Sequence, residues 1–93
     1  MEKVKNYVRM TDRDNVVTML RHLDSGEIIN VDGVKIKALH DVPAYHKIAI
    51  AEIKAGNTVV KYGESIGSAS RDIQIGDWVH IQNLESSRGR GDR

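Results

Sequence analysis

The sequence predicts a mainly β fold with one short helix. From residue 27 onward, short apolar runs alternate with turn-forming glycine, asparagine and aspartate, whereas only one segment near the start has apolar residues at helical spacing. The 93 residues include 14 Lys and Arg against 13 Asp and Glu, and 40% of the residues are hydrophobic. This length and composition fit a single folded domain and argue against intrinsic disorder.

The helix is expected near the amino terminus. Thr11 or Asp12 can cap it, and Asp14 lies in the first turn, where a carboxylate favours the positive end of the helix dipole. The apolar residues at helical spacing are Val16, Val17, Leu20 and Leu23. Gly26 ends the segment, so the predicted helix has about three turns and one apolar face that can pack on a sheet.

The remaining elements are expected to be short strands. Residues 27–39 form a predicted hairpin, because Asp32 and Gly33 both tolerate the positive φ that a two-residue turn requires. Further strands are predicted over residues 47–52, 58–62, 65–68 and 78–82. Residues 62–64 (Tyr-Gly-Glu) are predicted to form a turn or a bulge.

A short pattern occurs three times along the chain. Each copy has an apolar residue, two residues, a glycine, two residues and a second apolar residue, and the copies span residues 23–29, 53–59 and 73–79. The offsets are too irregular for a solenoid repeat. The pattern predicts a tight turn that leads into a strand, with both apolar ends packed inward and glycine where a side chain would clash.

Composition and charge exclude several classes of protein. The absence of cysteine excludes disulfide scaffolds, thiolate zinc sites and cysteine nucleophiles. No apolar run approaches the roughly 18 residues of a membrane helix, and the first ten residues do not resemble a signal peptide, so a cytoplasmic protein is expected. We divide the chain into a domain over residues 1–85 and a flexible Gly/Ser/Arg tail over residues 86–93. The tail holds three Arg and one Asp, so the domain itself is slightly acidic, unlike a nucleic-acid-binding domain.

The residues able to carry chemistry are dispersed along the chain. No His-x-His or His-Glu-x-x-His motif is present, so a metal site would need imidazoles from distant segments. His46 precedes a predicted strand, and His80 shares a strand face with Trp78, which makes the two histidines the pair to test. Lys61 either forms a surface ion pair with Glu64 or directs its charge at an anionic ligand.

Three segments, in order, resemble one family, the amino-terminal SAF domain of altronate/galactarate dehydratases. Residues 41–49 (D-V-P-A-Y-H-K-I-A) resemble its D-I-P-x-G-H-K-x-A stretch, and residues 60–67 (V-K-Y-G-E-S-I-G) resemble its I-K-Y-G-x-x-I-G stretch. Residues 73–84 (I-Q-I-G-D-W-V-H-I-Q-N-L) resemble its I-x-x-G-x-W-V-H-x-H-N ending. The match covers about residues 14–84, and it implies an SAF-type β-clip fold.

The resemblance also implies a function. In this family the domain is fused ahead of a large catalytic region or forms a separate small subunit, as in sulfolactate sulfo-lyase. The chain is therefore expected to be the small SAF-domain subunit of a sugar-acid dehydratase, inactive without a large dehydratase subunit with which it forms a composite active site. Family chemistry removes the proton α to a carboxylate and expels the β-hydroxyl of a hydroxy acid. A divalent metal, Fe²⁺ by resemblance, would act as the Lewis acid.

The motifs assign candidate roles to four residues. By motif position, His46 and His80 are candidates for catalysis or for metal ligation, and Lys47 and Lys61 are candidates for binding the anionic group of the substrate. The resemblance places the catalytic base and most metal ligands on the large partner.

Two departures from the family pattern leave alternatives open. Tyr45 replaces the glycine that precedes His46, which implies an altered pocket, and Gln82 replaces the second histidine of the ending, which weakens a metal site centred on His80. One alternative is a non-catalytic module that binds carbohydrates or anions, or acts as a scaffold, as a monomer or a homo-oligomer. Others are the small subunit of a sulfolactate sulfo-lyase and an RNA-associated protein that acts through its Arg-Gly tail.

Overall fold

The computed structural model describes residues 6–86, which form nine short β-strands. The strands are β1 (Tyr7–Val8), β2 (Val16–Met19), β3 (Ile28–Val31), β4 (Val34–Lys37), β5 (Lys47–Ala49), β6 (Thr58–Lys61), β7 (Glu64–Ala69), β8 (Trp78–Val79) and β9 (Leu84–Ser86). A central antiparallel sheet has the order β1-β2-β5-β8, β3 pairs with β4, and a third sheet has the order β6-β7-β9. The predicted mainly β fold is confirmed. Within residues 6–86 no helix has the length and apolar character needed to cross a membrane.

The predicted amino-terminal helix is wrong. Its apolar residues form β2 instead, and residues 6–86 contain no helix. β2 lies inside the central sheet and is covered on both faces, since Val16 and Val17 pack into two different core clusters. A strand buried on both faces has a continuous apolar run, which periodicity alone does not distinguish from a helix. The β-branched Val-Val-Thr sequence favours the strand.

Asp14 folds the segment before β2 into a turn. Its carboxylate is 3% exposed and accepts hydrogen bonds from the amides of Met10 (2.9 Å) and Gly63 (2.7 Å) and from the hydroxyl of Thr11 (2.8 Å). Burial alone would raise the pKa of Asp14, but these bonds and one from the Thr11 amide outweigh it and lower the pKa to about 2. Asp14 therefore ties the start of the domain to the β6–β7 turn. It does not lie in the first turn of a helix, as the sequence predicted.

Two core clusters lie on either side of the central sheet strands. The first contains Val17 of β2 and Ile48 of β5, and it continues into the β3–β4 hairpin. The second contains Val16 and Ala49, the neighbours of those residues in the same strands, and it continues into β6 and β7. Because successive side chains of a strand point to opposite faces, β2 and β5 each contribute to both clusters.

The glycine-centred pattern is confirmed as a repeated turn. In each predicted copy both apolar ends are buried and the glycine has a φ near +90°: +89° at Gly26, +88° at Gly56 and +94° at Gly76. A fourth copy spans residues 42–48, with Tyr45 in the glycine position at φ +70°. The sequence pattern does not reveal this copy, because the residue with positive φ is not glycine.

The four turns form two similar halves of the domain. The first turn pairs with the second through a bridge between Leu23 and Val42, and the third pairs with the fourth through a bridge between Ile53 and Ile73. The turns at Tyr45 and Gly76 also make equivalent backbone bonds, donated to the carbonyls of β2 and β5 (2.7 and 2.8 Å). The two halves therefore meet in the central sheet, where β2, β5 and β8 are neighbours.

The predicted hairpin over residues 27–39 is confirmed, and the turn predicted at residues 62–64 joins a second hairpin. β3 and β4 are joined by Asp32 (φ +51°) and Gly33 (φ +90°), and β6 and β7 are joined by Tyr62 (φ +55°) and Gly63 (φ +79°). Positive φ at both central residues is the type I′ turn that matches the twist of paired strands. Residues 87–93 of the predicted tail lie outside the described residues, whereas Ser86 ends β9.

Candidate functional site

The two candidate histidines lie side by side. His46 comes directly before β5 and His80 directly after β8, and the register of these strands pairs Lys47 with Val79. One step further along the antiparallel pair, His46 lies opposite His80, and their ring centroids are 4.7 Å apart. Both side chains are half-buried. The predicted pair is thus brought together by the pairing of β5 with β8.

Trp78 contacts both imidazoles. Its indole Nε1–H donates a hydrogen bond of 3.1 Å to Nδ1 of His46. The indole also stacks on His80, with ring centroids 5.3 Å apart and planes inclined by 9°. His46, Trp78 and His80 therefore form one aromatic cluster, which we call the imidazole–indole cluster.

The two candidate lysines belong to the same electrostatic environment. Burial lowers the pKa of Lys47, and the positive charge of Lys61 lowers it further. Burial likewise lowers the pKa of His80, and His46 and Lys47 add to the effect. Neither lysine forms an ion pair within residues 6–86; Glu64, the residue opposite Lys61 in the β6–β7 register, is exposed.

The charge of Lys61 thus acts on Lys47, and the charge of Lys47 acts on His80, so the lysines are electrostatically coupled to the histidine pair. Mutual repulsion between Lys47 and Lys61 costs free energy, and binding of an anion would relieve that cost.

Tyr62 is a further member of the site that the sequence pattern does not single out. The Nζ of Lys61 lies 4.9 Å from the centroid of the Tyr62 ring, within the range of a cation–π contact. The Tyr62 hydroxyl is 3.2 Å from Oγ1 of Thr18, the β2 residue that pairs with Lys47. Tyr62 therefore links the lysine of β6 to the strand next to Lys47. Tyr62 has a positive φ, which is uncommon for a bulky residue. The sequence alone therefore gives no reason to expect its side chain to project from this tight turn.

Asn83 holds the turn that carries His80. It is 3% exposed, its Oδ1 accepts the amide of His80 (3.0 Å), and its Nδ2 donates to the carbonyl of Trp78 (2.9 Å). Gln82, where the family pattern has a second histidine, donates to the same carbonyl (2.9 Å) and is exposed. Both amides therefore fix the backbone around the imidazole–indole cluster.

The donor set of the site favours an anion over a divalent cation. A divalent metal such as Fe²⁺ is bound by unprotonated imidazoles and carboxylates. Here one imidazole nitrogen already accepts the indole N–H, and the lysine charges that lower the pKa of Lys47 and of His80 are positive. The residues of this site therefore do not fit a complete metal centre.

Two other surface features are separate from the histidine pair and the candidate lysines. His22, Asp24 and Asp41 are exposed, and their ligand atoms lie within 4.8 Å of one another, but the group includes none of the predicted site residues. A cleft of about 680 Å³ shares Trp78, Gln82 and Asn83 with the site, and its lining includes neither histidine of the pair and neither candidate lysine. The imidazole–indole cluster and this cleft therefore meet only at the indole and its supporting turn.

Comparison with known proteins gives a consistent family match. Residues 5–87 match a family model described as the altronate/galactarate dehydratase SAF domain. The chain is 38% identical over 84 residues to an altronate dehydratase from Bacillus subtilis (strain 168), which covers 90% of this chain and 17% of that protein. It is 41% identical over 54 residues to the (2R)-sulfolactate sulfo-lyase subunit alpha of Paracoccus pantotrophus, which covers 58% of this chain and 81% of that subunit. A galactarate dehydratase (L-threo-forming) from Escherichia coli (strain K12) is 31% identical over 81 residues, which is 14% of its length.

Proposed function

Because the chain belongs to the altronate/galactarate dehydratase SAF domain family, we propose that it is the small SAF-domain component of a lyase that acts on a sugar acid or a related hydroxy acid. Its role is to bind the anionic group of the substrate at the rim of an active site completed by a large catalytic partner. The chain spans only 17% of the altronate dehydratase it resembles, so the remaining chemistry is assigned to that partner.

The observations that carry the proposal are the His46–His80 pair, whose ring centroids lie 4.7 Å apart, and the electrostatic coupling of Lys47 to both Lys61 and His80. Two half-buried lysines without ion pairs in the described structure attract a carboxylate, and neutralising that carboxylate makes its α-proton easier to remove. His80 has a lowered pKa, so near neutral pH it is the uncharged imidazole and can accept a proton or a hydrogen bond. A divalent cation, proposed to be Fe²⁺ on the partner, would assist departure of the β-hydroxyl as a Lewis acid.

A second candidate is the small subunit of a sulfo-lyase. It is favoured by the match to 81% of the length of a sulfolactate sulfo-lyase subunit alpha, which is itself named as a subunit. The same lysines would then bind a carboxylate or a sulfonate, since each lysine acts as a point charge without demanding a planar partner. The product of the reaction, water or sulfite, distinguishes the two candidates.

The proposal is tested by purifying the full chain from its source cells and identifying the proteins that accompany it. A large dehydratase-like protein is expected, with elimination activity on altronate, galactarate or sulfolactate only in the complex. Lys47→Gln is expected to raise KM at least tenfold, whereas Lys35→Gln, at an exposed position on β4, leaves it unchanged. A chain that purifies without any large partner, or a complex whose kinetics ignore Lys47→Gln, would contradict the proposal.

A further inference from the structure

The contact between Trp78 and His46 fixes which nitrogen of His46 carries a proton. An indole nitrogen can only donate, so Nδ1 of His46, 3.1 Å away, must be the acceptor and carry no proton. A neutral imidazole with an unprotonated Nδ1 has its proton on Nε2. Nε2 of His46 makes no hydrogen bond within residues 6–86, so its N–H is available to a ligand.

We propose that Trp78 is a positioning residue that holds His46 as the Nε2–H tautomer, so that His46 presents a hydrogen-bond donor to an anionic ligand and not a lone pair to a metal ion. The proposal rests on the proposed function only in taking the ligand to be the anion bound by Lys47 and Lys61. It assigns to Trp78 a role in ligand selection, because loss of its single N–H would free the Nδ1 lone pair.

Trp78 is held in the orientation that this role requires. It begins β8 and pairs with Ile48 of β5, and its side chain packs against the first core cluster. Its carbonyl accepts two side-chain amides, from Gln82 and Asn83, and its indole lies flat against His80. The indole is therefore fixed on both sides, so its N–H cannot turn away from His46 without disturbing the sheet or the stacking.

The same contact explains why the histidine pair is a poor chelate in the intact site. Ring centroids 4.7 Å apart are close enough for two imidazoles to share one metal ion. Ligation through Nδ1 of His46 would displace the indole N–H, and ligation through Nε2 would require that its proton move to Nδ1, which again breaks the bond. Metal binding by His46 therefore competes with the hydrogen bond between His46 and Trp78. Donation of the Nε2–H of His46 to an anion leaves that bond intact.

The first test uses nuclear magnetic resonance on the full 93-residue chain labelled with ¹⁵N. We expect an unprotonated Nδ1 and a protonated Nε2 for His46, together with a scalar coupling between Nδ1 and the indole Nε1 of Trp78 across the hydrogen bond. A protonated Nδ1 in His46, in the absence of ligand near neutral pH, would overturn the proposal without any variant being made.

The second test measures Zn²⁺ binding by the same imidazole signals. It uses a His22→Ala background, because the exposed group that includes His22 is a competing place for the ion. Trp78→Phe keeps an aromatic ring against His80 and removes the donor together with part of the indole ring system. We expect it to bind Zn²⁺ at the histidine pair about tenfold more tightly than the Trp78 chain, which is the effect of removing one hydrogen bond of ordinary net strength. Equal Zn²⁺ affinity in the two chains, with both spectra showing a folded protein, would contradict the proposal.

A third comparison separates this inference from the proposed function. In His46→Gln the amide can replace the Nε2–H donor, and in His46→Asn the amide oxygen can replace only the Nδ1 acceptor. Binding of galactarate is expected to survive better in the Gln variant than in the Asn variant. If galactarate, altronate and sulfolactate all fail to bind the complex while the coupling is present, the proposed function fails and the tautomer assignment stands. If any of these acids binds while Nδ1 of His46 is protonated, the proposed function stands and the tautomer assignment fails.

Discussion

Replacing Gly76 by alanine is expected to be among the most destabilising single substitutions in this domain. A Cβ at this position would lie 2.1 Å from the carbonyl oxygen of Lys37, whereas a comfortable carbon–oxygen contact is about 3.3–3.6 Å. The fourth turn and the end of β4 would have to separate by about 1.2–1.5 Å to relieve that clash. The residue also has a φ of +94°, which an alanine adopts with strain.

Gly56→Ala provides a matched control for the steric part of this cost. Gly56 occupies the same position in the third turn, has a φ of +88°, and has no atom within 4 Å of the added Cβ. Positive φ costs alanine about 1–2 kcal/mol, partly offset by about 0.4–1 kcal/mol from the stiffer unfolded chain, so Gly56→Ala is expected to lose about 1 kcal/mol. Overpacking adds about 1–3 kcal/mol at Gly76, for a loss of about 3 kcal/mol in total.

Urea unfolding of the two variants measures this difference. A loss of about 3 kcal/mol corresponds to a decrease in Tm of about 12–24 °C for a domain of this size. Comparable losses in both variants, within about 0.5 kcal/mol, would show that the close approach of the fourth turn to Lys37 does not exist in solution. A large loss confined to Gly76→Ala would establish that this glycine is required by packing as well as by backbone conformation.

Three further predictions concern individual side chains. The pKa of Asp14 is lowered from 3.8 to about 2, which contributes about 2 kcal/mol of stability above pH 4. That stability is lost as the pH falls towards 2. The free energy of unfolding should therefore decrease over this pH range in the parent chain and not in Asp14→Asn. Tyr45→Gly should change the free energy of unfolding by less than about 1 kcal/mol, because relief of the strain at φ +70° is offset by a more flexible unfolded chain; a loss above 2 kcal/mol would mean that the exposed ring makes stabilising contacts. Asn83→Ala should cost about 1–3 kcal/mol by leaving the amide of His80 without its partner, and amide hydrogen exchange at His80 should accelerate; unchanged exchange would refute the role given to this side chain.

The repeated turns could be predicted from sequence because they depend on local backbone chemistry. A glycine between two apolar residues, each three positions away, specifies both the positive φ and the inward direction of the ends. The Asp32-Gly33 turn is specified in the same way. Neither prediction needs knowledge of which strands pair, so neither depends on the rest of the chain.

The strand β2 could not be distinguished from a helix by its apolar pattern, because that pattern is set by tertiary structure. Val16 and Val17 are both fully buried, which removes the alternation that marks a strand with one solvated face. The carboxylate of Asp14, read as a favourable charge in the first turn of a helix, instead receives bonds from Met10, Thr11 and Gly63. The third of these partners is 49 residues away, so no local signal identifies it.

The site itself arises from the relation between the two halves. In the second turn His46 and Lys47 follow the residue with positive φ, and in the fourth turn Asp77 and Trp78 occupy the equivalent places. Because β5 and β8 are adjacent and antiparallel, Trp78 of one half lies close to His46 of the other. The indole of Trp78 donates a hydrogen bond to the imidazole of His46. A repeated backbone unit thus places unlike side chains against each other. Motif resemblance could nominate these residues one by one, but only the register makes Trp78 the residue that decides what His46 can bind.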